Sequence, residues 1–161
     1  MPIGGYHLMD RLIVAIATGL YSGMIPKAPG TWGSLLAMLP WYFCRSLALP
    51  IYLLIMAALF VVGFLTAGSA EKIFDRPDPG CIVIDEILGI FITLTLAPDH
   101  PLAWMLGFLL FRIFDVLKPF PVSWLDTNLH GGIGIMMDDV AAGIYALVCL
   151  HLIWLVIGRL V

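Results

Sequence analysis

Charge is scarce in this chain. Only 12% of its 161 residues are Asp, Glu, Lys or Arg, where soluble domains carry about 25%. With 61% hydrophobic residues and a mean hydropathy of +1.03, the chain falls in the membrane class. Basic runs are absent and the net charge is −3, so no nucleic-acid partner is expected. The three cysteines, Cys44, Cys81 and Cys149, are odd in number and lack metal spacing; free thiols are expected rather than a disulfide framework. Internal repeats and low-complexity segments are missing too. The first apolar stretch follows Asp10-Arg11 without an Ala-x-Ala-like site, so no cleavable signal peptide is expected. Residues 1–161 read as a single membrane-embedded domain.

Long apolar runs are what remains. Residues 7–19 are moderately apolar and lead into a Gly-Pro-rich loop. A helical pattern restarts at Thr31-Trp32-Gly33-Ser34 and runs to Cys44, short of the ~20 residues a full span needs. Leu49 to Ala70 is the clearest span. Further apolar runs cover 82–97, 102–117 and 140–158, and a connector at 118–139 is long enough to fold back over the membrane. The expected fold is all-α, a polytopic integral membrane bundle of about four to five spans with an N-terminal interfacial or re-entrant segment. Parity places the short connectors 45–50 and 98–101 on one face, and the motif-rich connectors 20–33, 71–81 and 118–139 on the other. Arg11, Lys27, Lys72, Arg76 and Lys118 lie on the motif face, against Arg45 and Arg159 opposite, so the motif face is expected to be cytoplasmic.

The few charges are not scattered. Asp85-Glu86 and Asp138-Asp139 stand where apolar helices are expected to begin, and Arg112, Asp115 and Lys118 end another. An ionised group near the bilayer centre costs roughly 2.5–3.5 kcal/mol on insertion scales, so such residues need a task. Asp85-Glu86 could offset a helix dipole, and Asp138-Asp139 could be an N-cap and N1 residue; neither role excludes cation binding. An oxygen-only ligand set favours a hard cation, Mg²⁺ before Mn²⁺ or Ca²⁺, over zinc. The spacing i, i+3, i+6 puts Arg112, Asp115 and Lys118 on one helix face. They read either as a self-neutralising ladder or as Arg112 gripping phosphate oxygens with Lys118 as a second point charge. Glu71, Asp75 and Asp78 read as a solvated loop face. His130 opens the glycine-rich His130-Gly131-Gly132-Ile133-Gly134 and is a candidate general acid. The glycines there, and those around Thr31 and Ser34, could bring backbone amides to an anion.

These stretches resemble the phosphatidylglycerophosphatase A family. The resemblance rests on Pro29-Gly30-Thr31-Trp32-Gly33-Ser34, then Asp78-Pro79-Gly80 leading to Ile84-Asp85-Glu86 and Gly89. It continues through Phe111-Arg112-Ile113-Phe114-Asp115 with Lys118-Pro119-Phe120-Pro121. It ends in the run from His130 to Asp139, with Ala142-Gly143, and so extends over residues 12–150. Cys81 departs from the more familiar small polar or acidic residue. Other phospholipid enzymes are set aside by motif. The chain has no paired Asp-x-x-Asp-Gly of CDP-alcohol phosphotransferases, no Lys-Arg-Pro set of type-2 phosphatidate phosphatases and no Asp-x-Asp of haloacid-dehalogenase phosphatases.

The resemblance implies an Mg²⁺-dependent enzyme of the bacterial inner membrane that converts phosphatidylglycerol phosphate to phosphatidylglycerol, with membrane lipid around it. On that reading Asp85, Glu86, Asp138 and Asp139 bind metal, and Asp85, Asp139, His130 and Asp115 are catalytic. Arg112, Lys118, Thr31 and Ser34 hold the substrate phosphate. The rival reading is an ion- or proton-coupled transporter, since intramembrane carboxylates also mark ion pathways.

Overall fold

Proline opens three of the helices, where its missing N–H costs nothing, and sets their starting points along the chain. In the computed structural model, which describes residues 7–159, seven α-helices and one 3₁₀ turn, and no strand, form among those residues. The helices are α1 (Leu8–Ala17), α2 (Pro29–Cys44), α3 (Leu49–Phe74), α4 (Ile84–Thr93), α5 (Pro101–Leu117), α6 (Val122–Asn128) and α7 (Gly131–Ile157). The 3₁₀ turn, Ser22–Met24, lies between α1 and α2.

Two helices have the length and composition to cross a bilayer, α3 with 26 residues and α7 with 27. At 1.5 Å per residue each is about 40 Å long, against a hydrocarbon core of about 30 Å. Only 11% and 22% of their most apolar stretches are buried within the protein. Ile51, Leu54, Val61, Phe64 and Leu65 of α3 and Ile144, Val148, Leu152 and Leu155 of α7 stand exposed. A helix apolar on every side but only partly covered by protein suits an apolar solvent. The remaining candidates are shorter: α2 has 16 residues, α5 has 17 and α4 has 10.

The apolar run 82–97 is not one continuous helix. It turns helical at Ile84 and stops at Thr93; Thr95 and Ala97 then close turns onto Ile92 and Leu94, and Leu96 takes a positive φ of 54°. Side chains satisfy the backbone where this half-helix ends inside the protein: the Phe91 carbonyl accepts from Tyr52 Oη at 2.5 Å and from Thr95 Oγ1 at 3.0 Å. A backbone group buried in this way needs a partner, and here protein side chains supply it. Surrounded in this way, α4 packs against α2, α3, α5 and α7, and Leu88, Ile90 and Phe91 are almost wholly buried.

The connector 118–139 is also mostly helical, because α6 occupies its middle and α7 begins at Gly131. The glycines after His130 are therefore the first turn of α7 and not a loop. They serve close packing: a Cβ on Gly132 would collide with the Phe64 carbonyl oxygen and the Gly68 amide of α3. Asp138 and Asp139 consequently lie two turns inside α7 instead of capping it, which removes capping as the reason for either.

The molecule has two polar ends. At one, Arg45 pairs with Asp99 and stacks on Tyr42 and Trp104, while His151 of α7 reaches the Leu96 carbonyl at 3.3 Å. The two short connectors thus meet at the same end. At the other, the Val83 amide bonds to Ala17 O at 2.9 Å, Asp78 N donates to Glu71 Oε1 at 2.8 Å, and Lys118 reaches Asp138. All the motif-bearing segments gather there.

Gly132→Ala should lower stability by about 1–3 kcal/mol through overpacking against a backbone that cannot yield. Gly80→Ala, where an added Cβ meets nothing within 4 Å, should leave it unchanged. Thermal unfolding of both variants in detergent checks the contrast; equal melting temperatures would refute the α3–α7 contact.

Candidate active site

The first turn of α4 is fixed from below by Val83, which is fully buried and bonded through its amide to the end of α1. That anchor turns Asp85 and Glu86 toward α7, where Asp139 comes down from the third helical turn. The three side chains offer carboxylate oxygens that all lie within 4.8 Å of one another. Each also has one buried oxygen with no hydrogen-bond partner: Asp85 Oδ1, Glu86 Oε2 and Asp139 Oδ2. Unpaired buried carboxylate oxygens are costly singly, and three together repel.

One guanidinium faces this group. Arg112 Nη1 of α5 lies 2.6 Å from Asp115 Oδ2 and 3.8 Å from Glu86 Oε1. It also donates to Ser34 Oγ at 3.4 Å, and the buried Ser34 donates in turn to the Gly30 carbonyl at 2.7 Å. Asp115 sits beside Asp139, so a fourth carboxylate adjoins the group and shares Arg112 with Glu86. The first turn of α2 closes the site from another side. Gly30 packs so tightly that a Cβ would run into Glu86 Oε1 and come within 2.9 Å of Arg112 Nη1. Thr31, in the same turn, is partly exposed.

Asp138 is placed differently. Its Oδ2 accepts from Lys118 Nζ at 2.8 Å and its Oδ1 from the Asp139 amide at 3.0 Å. Lys118 also pairs with Asp126. The helix face expected to carry Arg112, Asp115 and Lys118 ends before Lys118, because that residue adopts φ 43° as the C-cap and leaves the helix line. Burial works against the charge on Lys118, but its hydrogen bonds to Asp126 and Asp138 outweigh this and raise its pKa. The ammonium therefore stays charged at any physiological pH.

His130, the exposed N-cap of α7, lies outside the three-carboxylate group. It lines a cleft of about 110 Å³ with Glu71, Asp78, Asp126 and Asp138. Glu71 and Asp78 thus form a wall of this cleft beyond the plain solvated face expected of them. Burial pushes the Asp78 carboxyl upward, with Lys118 pulling the other way. Asp126 was not legible in the sequence, since seven residues of turn and short helix separate it from Lys118 and no periodicity links them. Gly30 was legible as part of the Pro29-to-Ser34 motif, but its close packing on Glu86 and Arg112 was not.

The donors are oxygen-only, with no His or Cys in the group among the described residues. Three converging carboxylates, each with an unsatisfied oxygen, fit a hard divalent cation.

A family profile described as phosphatidylglycerophosphatase A matches residues 15–154, a stretch that contains every residue of this site from Gly30 to Asp139. The chain belongs to that family. It is 40% identical over 139 residues to phosphatidylglycerophosphatase A of Escherichia coli, covering 86% of this chain and 81% of the relative. The Haemophilus influenzae phosphatidylglycerophosphatase A is 42% identical over 135 residues, 83% of each chain. A Bacteroides thetaiotaomicron protein is 41% identical over 155 residues, 91% of this chain and 96% of its own. Its name gives a phosphatidylinositol-3-phosphatase activity and marks that assignment as provisional. No solved structure matches the chain. Membership makes this protein a lipid phosphatase.

Arg112→Leu should destabilise the protein strongly by leaving Glu86 and Asp115 without their counter-charge. Adding Asp115→Leu should restore part of the loss, giving a coupling of about 1–3 kcal/mol in a double-mutant cycle. Additive losses in detergent unfolding would mean the 2.6 Å pair contributes nothing.

Proposed function

We propose that this protein hydrolyses phosphatidylglycerol phosphate to phosphatidylglycerol and phosphate, using Mg²⁺, at the cytoplasmic face of the bacterial inner membrane. The observation that carries the reading is the set of three buried, unpartnered carboxylate oxygens on Asp85, Glu86 and Asp139 beside Arg112. The names of the Escherichia coli and Haemophilus influenzae relatives supply the substrate.

Asp85, Glu86 and Asp139 would hold the cation. When bound, Mg²⁺ offsets phosphate charge and polarises the attacking water. Arg112, steadied by Asp115 and Ser34, presents its guanidinium to the phosphate oxygens as their charge grows. Thr31, in the first turn of α2 that packs on Glu86 and Arg112, would offer its hydroxyl to the phosphate, since its own amide and that of Trp32 already donate to the Ala28 carbonyl. Lys118 holds Asp138, whose other oxygen accepts from the Asp139 amide, so the pair ties down the backbone that carries Asp139. His130, on the adjoining cleft, is our candidate for protonating the departing glycerol oxygen.

The membrane arrangement follows from the same placement. We read α3 and α7 as full spans, with α2 and α5 as tilted spans and α4 as a half-helix shielded between them. The site end carries Lys72, Arg76 and Lys118, and the positive-inside rule then turns it to the cytoplasm.

Purified protein in detergent, given phosphatidylglycerol phosphate, should release phosphate with Mg²⁺ and stop with EDTA. Asp85→Asn and Asp139→Asn should each reduce release at least about a hundredfold while melting as the parent does without metal. Near-normal release by either variant, or turnover indifferent to EDTA, would overturn the proposal.

A further inference from the structure

A second cleft opens next to the site. It encloses about 450 Å³ between the 3₁₀ turn and the segment following α3, with Met24 and Ile25 on one wall and Phe74, Arg76 and Gly80 on another. Pro29, from the first turn of α2, also lines it. Pro29 is the neighbour of Gly30, whose Cα lies only ~3.8 Å further along the chain, and Gly30 is pressed against Glu86 and Arg112. The cleft therefore begins one residue from the carboxylate–arginine cluster.

Its chemistry is uneven. The walls are mostly apolar, yet one charged side chain, Arg76, is among them. Arg76 is exposed and forms no ion pair among the described residues. Asp78 is close enough to feel its charge, but it lines the other cleft and gives its amide to Glu71. A guanidinium without a partner, in an apolar groove beside a phosphatase site, complements an anion attached to an apolar chain.

We propose that this groove takes the non-reacting part of the lipid substrate, and that Arg76 binds the phosphodiester joining the headgroup to diacylglycerol. The inference rests on the phosphatase reading above. In phosphatidylglycerol phosphate a glycerol separates the terminal monoester from that phosphodiester, so a monoester held at Arg112 puts the diester a short way off. The groove that starts at Pro29 is in position to receive it. Phosphatidylinositol 3-phosphate, the substrate implied by the name of the Bacteroides relative, shares the same arrangement of one monoester and one diester. Phosphatidate has the monoester but no diester. Arg76 is thus a specificity residue: it distinguishes lipids that carry a second phosphate from those that do not.

Gly80 offers an independent handle. A side chain there meets no neighbouring atom within 4 Å, so Gly80→Leu should fold normally and partly fill the groove. Two readouts test the proposal. The first is the ratio of kcat/KM for phosphatidylglycerol phosphate to that for phosphatidate in mixed micelles. Arg76→Gln should lower this ratio about tenfold, the size expected for loss of one charge-assisted hydrogen bond, chiefly through KM. The second is binding of phosphatidylglycerol itself, which has the diester and no monoester, measured without turnover. Both Arg76→Gln and Gly80→Leu should weaken it, and Arg76→Lys should recover part. An unchanged ratio together with unchanged phosphatidylglycerol binding would overturn the proposal, as would equal losses on both lipids. Failure of the parent protein to hydrolyse phosphatidylglycerol phosphate would instead sink the phosphatase reading, while the binding readout would still decide whether Arg76 holds a diester.

Discussion

Three carboxylates in a largely apolar protein, which offer oxygens within 4.8 Å of one another and each keep one buried oxygen without a partner, are the constraint on which the rest of the structure depends. At an effective dielectric of about 20, each like-charged pair at that separation repels by roughly 3–4 kcal/mol. Arg112 answers part of this, but Asp115 claims its closest contact. On the proposed reading a divalent cation would add the charge that the side chains lack, and the local packing would hold the carboxylates ready for it. Val83 is pinned to α1, Gly30 is pressed on the Glu86–Arg112 pair, and Asp138 is tied off by Lys118.

The same constraint accounts for the central half-helix. A full span at α4 would carry its first-turn carboxylates on a helix that needs apolar surroundings along about 30 Å. Ten residues suffice to present Asp85 and Glu86 and to bury Leu88, Ile90 and Phe91. The cost is a backbone that ends inside the protein, and Tyr52 and Thr95 meet it through the Phe91 carbonyl. Chain economy and site geometry are thereby linked: α7 must pass close to both α3 and α4, which the glycines at 132, against α3, and at 143, against α4, permit.

Much of this was legible in the chain itself. Rare charges in apolar sequence marked Asp85, Glu86, Arg112, Asp115, Asp138 and Asp139, and the parity of the connectors gathered the motif-bearing segments at one end. Other features were not. Adjacent helical residues point about 100° apart, so only the packing of α7 could separate Asp139, among the unpartnered carboxylates, from Asp138, paired with Lys118. His130-Gly131-Gly132-Ile133-Gly134 read as a loop because glycine is the commonest sign of one, whereas close approach to α3 uses it inside a helix. The left-handed turn at Lys118, which takes it off the α5 face and brings the ammonium to Asp126, has no local signature. The end of α4 at Thr93 was hidden because the apolar run continues past it.

The central claim is that Asp85, Glu86 and Asp139 together hold one divalent cation at the site of hydrolysis. Crystals of the detergent-solubilised protein soaked in Mn²⁺, with data collected at the manganese absorption edge, test it most directly. The account predicts an anomalous peak coordinated by oxygens of all three carboxylates, lost in Asp139→Asn, with the Lys118–Asp138 pair intact beside it. A peak coordinated instead by Asp138 and Asp126, with Lys118 displaced, would contradict it, as would no peak in protein that hydrolyses its lipid.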